Sequence, residues 1–84
     1  MAAAERGARL VLYTREHCGL CDELVAELAP WLSARGVALD VRDVDADPAT
    51  RRRFGLKVPV VTVDGVLACY GRLDLAAVER LLDS

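Results

Sequence analysis

Apolar residues fall along this chain in blocks, and their spacing changes from block to block. Leu10-Val11-Leu12-Tyr13 is an unbroken apolar run, which predicts a strand covered on both faces. From Gly19 to Ala34 the spacing becomes helical. Cys21, Val25, Leu28 and Leu32 fall along one stripe, widened by Leu20, Leu24 and Trp31. Asp22, Glu23 and Glu27 supply the solvated side, with two acids in the first turn, where the helix dipole favours them. Pro30 predicts a kink, and Gly36 predicts the end of the helix.

Val37 to Val44 alternates, with Val37, Leu39 and Val41 on one face and Ala38, Asp40 and Arg42 on the other. That pattern predicts a half-exposed edge strand. Asp47 and Pro48 open a short helix as N-cap and first residue, running to Phe54 and stopped by Gly55. Val58 to Val63 predicts a third strand and Val66 to Tyr70 a fourth. Asp64-Gly65 between them is a strong hairpin signal. Gly71 breaks the ladder, and Asp74 caps a last helix with Leu75, Val78, Leu81 and Leu82 on one face.

The order β-α-β-α-β-β-α belongs to the α/β class. Its βαβ unit requires two parallel strands, and the hairpin adds antiparallel ones, so a four-stranded mixed sheet with helices on both faces is expected. Residues 1–8 carry no periodic signal and are expected to form a flexible arm, with residues 9–84 as a single domain.

Composition narrows the function. The chain has 84 residues, 54% hydrophobic and 29% charged, and a formal charge of −2. It is long enough for one small core and has no charge excess to draw it to nucleic acid or anionic membrane. The first residues hold no apolar leader core, and no apolar run is long enough to span a bilayer. A cytoplasmic, monomeric protein is expected. Three cysteines are too few, and odd in number, for a disulfide-stapled secreted scaffold.

Two of those cysteines carry the chemistry. Cys18-Gly19-Leu20-Cys21 lies where the first strand gives way to the first helix. A helix N-terminus stabilises a thiolate through its unpaired N–H groups and dipole. Cys18 is therefore expected to be the nucleophile, with a depressed pKa. Cys21, on the apolar stripe three residues later, is expected to be the buried resolver. Arg15 and His17 would lower the Cys18 pKa, whereas Glu16, Asp22 and Glu23 would raise it. The competing reading is a non-enzymatic redox-sensing, metal or iron–sulfur module, with Cys69 as a further ligand. A zinc site needs four ligands, and no second CxxC or His cluster exists, so redox chemistry without a bound metal is preferred. Cys69 reads as a small buried hydrophobe, His17 as a surface residue, Trp31 and Tyr13 as packing, and Arg51-Arg52-Arg53 as a solvated helix face.

Pro59, opening a strand, deletes a ladder donor and needs a reason. The run Leu12 to Cys21, with Lys57-Val58-Pro59-Val60 and the Asp64-Gly65 hairpin, resembles a glutaredoxin of the thioredoxin-fold superfamily. It is most similar to short bacterial glutaredoxin-like proteins of uncharacterised function. The resemblance implies a thioredoxin-like fold, a cis peptide at Val58–Pro59 and a disulfide reductase activity. It further implies that the Val58 backbone pairs with an extended segment of the partner. The implied partner is a disulfide-containing protein or a glutathione mixed disulfide, with glutathione as cosubstrate and no bound cofactor. Arg15, Val58, Pro59, Gly71 and Asp74 are the implied substrate contacts. The chain departs from the family in having Gly19-Leu20 between its cysteines instead of Pro-Tyr, and one glycine and one well-spaced acid after the hairpin. These changes weaken the implied grip on glutathione.

Overall fold

The computed structural model describes residues 9–83; the expected arm at residues 1–8 lies outside the described residues, as does Ser84. The elements are β1 (Leu10–Thr14), α1 (Gly19–Ala34), β2 (Leu39–Asp43), a 3-10 turn (Val44–Ala46), α2 (Pro48–Phe54), β3 (Val60–Val63), β4 (Val66–Tyr70) and α3 (Leu75–Leu82). The sheet order is β2-β1-β3-β4. Strand β2 runs parallel to β1, whereas β3 is antiparallel to both β1 and β4. This is the mixed α/β sheet of the thioredoxin-like fold. Among the described residues no helix is long and apolar enough to cross a membrane.

Strand alternation divides the core into two layers. Leu10 and Leu12 of β1 and Val61 and Val63 of β3 meet Leu24, Leu28 and Leu32 of α1 and Val78 and Leu82 of α3. On the opposite face, Val60 joins Val44 and Phe54, with Tyr13 and Val58 packed alongside. The Tyr13 and Phe54 rings lie 5.1 Å apart. Both layers therefore cover β1 and β3, which explains the unbroken apolar run of β1 and the burial of all four β3 residues; the one polar member, Thr62, donates its hydroxyl to the Val11 carbonyl. Each fully buried Leu or Val contributes about 1.5–3 kcal/mol of transfer free energy.

The element ends are capped largely by local chemistry. Asp47 accepts from the Ala49 amide at the start of α2, and Asp74 from the Ala77 amide at the start of α3. At the end of α1, Gly36 (φ 69°) donates to Ser33 O and Val37 to Leu32 O, the paired bonds of a Schellman cap. Asp64 and Gly65, both at positive φ, close the β3–β4 hairpin as a type I′ turn. Bidentate Arg9 clamps the Asp64 carboxylate.

Several expectations need correction. Strand β2 is shorter than Val37–Val44, and Val41 is half exposed because β2 is an edge strand lying beyond the helix cover. Val44 leaves the strand in the 3-10 turn and is fully buried against α2. Strand β3 begins at Val60, after Pro59. Leu20 (54% exposed) and Leu75 lie outside the buried stripes, while Ala77 lies inside one. A register shift leaves Ala68 as an extra residue opposite β3, bending β4. Pro30 is accommodated inside one continuous helix. Gly55 caps α2 with right-handed helical angles, so a turn-forming positive φ is not its reason. Instead, a Cβ there would drive into the Arg51 carbonyl and crowd the Arg15 guanidinium.

Two stability outcomes follow. Gly55→Ala should lower stability by about 1–3 kcal/mol through overpacking, read as a shift of the urea midpoint at constant slope. His17 sits at φ 59° in the turn that brings the chain round to α1. A branched side chain is strained there, so His17→Val should cost about 1–2 kcal/mol, while His17→Gly should not lower the midpoint. Equal loss in both variants would assign the effect to the imidazole contacts.

Candidate functional site

Sheet register brings four segments to one end of the molecule. Thr14 is opposite Asp43, Tyr13 is opposite Val60, and Val60 is opposite Tyr70. The turn into α1, the turn after β2, the Val58–Pro59 segment before β3 and the Gly71–Asp74 segment after β4 therefore leave the sheet together. Cys18 and Cys21, Val58 and Pro59, and Gly71 and Asp74 are far apart in sequence, and the antiparallel placement of β3 against β1 gathers them.

Cys18 is the N-cap of α1, with an extended backbone, and its Sγ accepts from the Cys21 amide at 3.2 Å. The Asp22 amide donates to the Cys18 carbonyl at 3.2 Å, closing the first turn. The Cys18 and Cys21 sulfurs are in bonding contact as a disulfide, with Cα atoms 5.2 Å apart. Exposure separates the two. Cys18 is partly exposed, whereas Cys21 is 2% exposed on the core side of α1. An incoming group reaches one sulfur and is screened from the other.

The Val58–Pro59 peptide is cis. Pro59 is fully buried, and its carbonyl accepts from the Gly71 amide at 2.8 Å, which ties the β4 exit to this segment. Val58 is packed by its side chain against the Val44–Phe54 layer. Among the described residues, no hydrogen bond occupies the Val58 amide or carbonyl. Gly71 (φ 77°) turns the chain toward α3. Asp74 uses one carboxylate oxygen as the cap of α3.

Arg15 is held on two sides. Its Nε and one Nη donate to the two Asp45 carboxylate oxygens at 2.8 and 2.9 Å, and the other Nη donates to the Gly55 carbonyl at 2.8 Å. The hydrogen bond from Arg15 holds the Asp45 carboxyl below the usual carboxylate range, and Asp45 in turn raises the guanidinium. With its charge offset by Asp45, Arg15 lends less to a Cys18 thiolate than an unpaired arginine would. The Asp45 and Gly55 partners were not visible in the sequence pattern, because they lie 30 and 40 residues away.

Cys69 is half-buried on the α1/α3 side of the sheet. Burial pushes its thiol up from the ordinary value, with the Asp74 amide opposing and the Asp74 charge adding to the rise. A protonated, packed thiol fits the small-hydrophobe reading. Among the described residues no group of three or more His, Cys, Asp or Glu side chains is placed to hold a metal ion. His17 is exposed, and the Arg51–Arg53 run lies on the solvated face of α2. A groove of about 320 Å³ runs between α1 and the Gly71–Leu73 turn, lined by Leu20, Glu23, Leu24 and Glu27 of α1 and by Arg72. Leu56, fully exposed, and Tyr70 add apolar surface near the Val58–Pro59 segment. Leu20, which helical spacing assigns to the buried stripe, instead lines the α1 groove beside the cysteines.

The chain was compared with known proteins. Among solved structures it is similar to protein Ne2328 from Nitrosomonas europaea, with 29% identity and a TM-score of 0.75 over 87% of this chain and 88% of that one. The protein XcR50 from X. campestris is 34% identical, with a TM-score of 0.66 over 88% and 95% of the two chains. Wheat glutaredoxin shares the fold at 15% identity, with a TM-score of 0.57 over 98% and 84%. No curated protein matches the chain. The sequence profile of the glutaredoxin-like domain (DUF836) matches residues 9–83, spanning every element of the sheet and all three helices. The chain belongs to the glutaredoxin-like domain family.

Proposed function

We propose that the protein is a thiol–disulfide oxidoreductase that uses Cys18 as nucleophile and Cys21 as resolver. One observation carries the reading: a partly exposed sulfur at a helix N-cap, in bonding contact with a buried sulfur one turn deeper.

In the reduced protein, the Cys21 amide and the first-turn dipole favour a Cys18 thiolate. The thiolate attacks one sulfur of a partner disulfide, forming a mixed disulfide and releasing the other partner sulfur as a thiolate that takes a proton from water. The Cys21 thiol then loses its proton and attacks the Cys18 sulfur. The Cys18–Cys21 disulfide forms, the second partner sulfur leaves, and two electrons have passed from protein to partner. An external thiol, glutathione or a protein dithiol, restores the reduced pair. Such a cycling dithiol suits a reducing compartment such as the cytoplasm.

The partner is a disulfide-containing polypeptide or a glutathione mixed disulfide. Its extended segment pairs with the free backbone groups of Val58, above the buried ring of Pro59. Gly71 and Asp74 flank the far side, with Gly71 anchored to Pro59.

Trapping tests the roles. Cys21→Ser should accumulate a stable mixed disulfide through Cys18, seen by mass spectrometry, and Cys18→Ser should not. Equal trapping by both variants would reverse or remove the assignment. Titration of the reduced protein should place the Cys18 pKa below about 8.5, the value of a free thiol; a value at or above it removes the thiolate argument. Protein purified in air should show one free thiol before dithiothreitol and three after, matching its three cysteines. Stoichiometric bound metal would instead favour the metal-module reading.

A further inference from the structure

We propose that Asp45 sets the substrate class of the dithiol site: by occupying the bidentate Nε/Nη edge of Arg15 it competes with small anionic thiols for that cation, and so biases the site toward polypeptide disulfides held through their main chain. The proposal rests on the oxidoreductase reading and adds to it a specificity-determining residue from outside the cysteine and proline segments.

The argument begins with Arg15, three residues before Cys18 at the end of β1. A guanidinium has five N–H groups in a planar fork, and its Nε/Nη edge matches one carboxylate. Asp45 takes that edge with both oxygens, and the Gly55 carbonyl takes one N–H of the other Nη, so three of the five donors are occupied, including the whole Nε/Nη edge. A ligand carboxylate seeking the same bidentate contact must first displace Asp45. The competitor is well fixed. The Asp45 amide donates to an Asp43 carboxylate oxygen at 2.9 Å within the 3-10 turn, and Gly55 has no side chain to push Arg15 away. A tethered carboxylate acts at an effective concentration of about millimolar or higher, so it discounts the affinity of a free one.

The groove along α1 offers no net positive anchor, and Lys57, exposed beside Val58, is a single ammonium without a bidentate edge. The groove lining includes two carboxylates, Glu23 and Glu27, and one guanidinium, Arg72, an excess of negative charge that does not attract a doubly acidic ligand. Binding through the Val58 backbone needs no ligand charge.

The test compares the full-length protein with Asp45→Ala. S-methylglutathione, which is anionic and cannot exchange, is titrated against each and followed by calorimetry. Asp45→Ala should bind it about two- to tenfold more tightly. The ratio of kcat/KM for a glutathione mixed disulfide over that for an uncharged peptide disulfide should rise by a similar factor, with the gain in KM. An unchanged ratio, or no detectable binding of S-methylglutathione to either protein, overturns the proposal. Loss of turnover on both substrates by both proteins overturns the oxidoreductase reading instead, and the binding comparison still decides the role of Asp45. The Arg15 Nε–H resonance of the unsubstituted protein is a second reading that needs no variant. It should stay in place as S-methylglutathione is added, and a saturable shift overturns the proposal even if Asp45→Ala fails to fold.

Discussion

The position of β1 is the constraint on which the site depends. It pairs with β2 on one side and β3 on the other, and helices cover both its faces. A strand so enclosed has no freedom to slip, because a one-residue shift would turn Leu10 and Leu12 out of the larger core layer. The first residues beyond it are therefore delivered to a defined place at the sheet end. There the positive-φ turn at His17 and the N-cap at Cys18 convert a buried strand into a helix whose first turn holds both sulfurs.

Antiparallel pairing of β3 with β1 does the complementary work. Because Val60 faces Tyr13, the segment just before β3 must return to the same end of the sheet as the turn just after β1. Pro59 is buried there, and the Gly71 amide is spent on its carbonyl. The segment is held by packing and by one hydrogen bond, while the backbone of Val58 stays open. Rigid support beneath an unpaired main chain is the arrangement that the proposed pairing with an extended partner requires. The Arg15 fork ties the turn after β1 to Asp45 in the turn after β2 and to Gly55 at the end of α2.

Burial also separates the three cysteines into different chemistries. Cys18 is open and aligned with an amide; Cys21 is closed off but one turn away; Cys69 is packed between the sheet and its helices, with a thiol held protonated by burial. Composition alone treats them alike. Their differences come from the local dielectric and from hydrogen bonding, and both are properties of the folded chain.

Much of the fold is legible in the order of residues, because short-range rules govern it. The unbroken apolar run in β1, the helical stripe through Leu24, Leu28 and Leu32, the caps at Asp47 and Asp74 and the Asp64-Gly65 turn each act within a few residues of themselves. The CxxC at a strand–helix junction is legible for the same reason. Tertiary structure alone decided that Leu20 and Val41 face water, that Val44 closes the second core layer, and that Ala68 bulges from its strand. It alone brought Asp45 and Gly55 to Arg15. Partners 30 and 40 residues distant leave no periodic trace, since periodicity reports which way a side chain points and not what arrives to meet it.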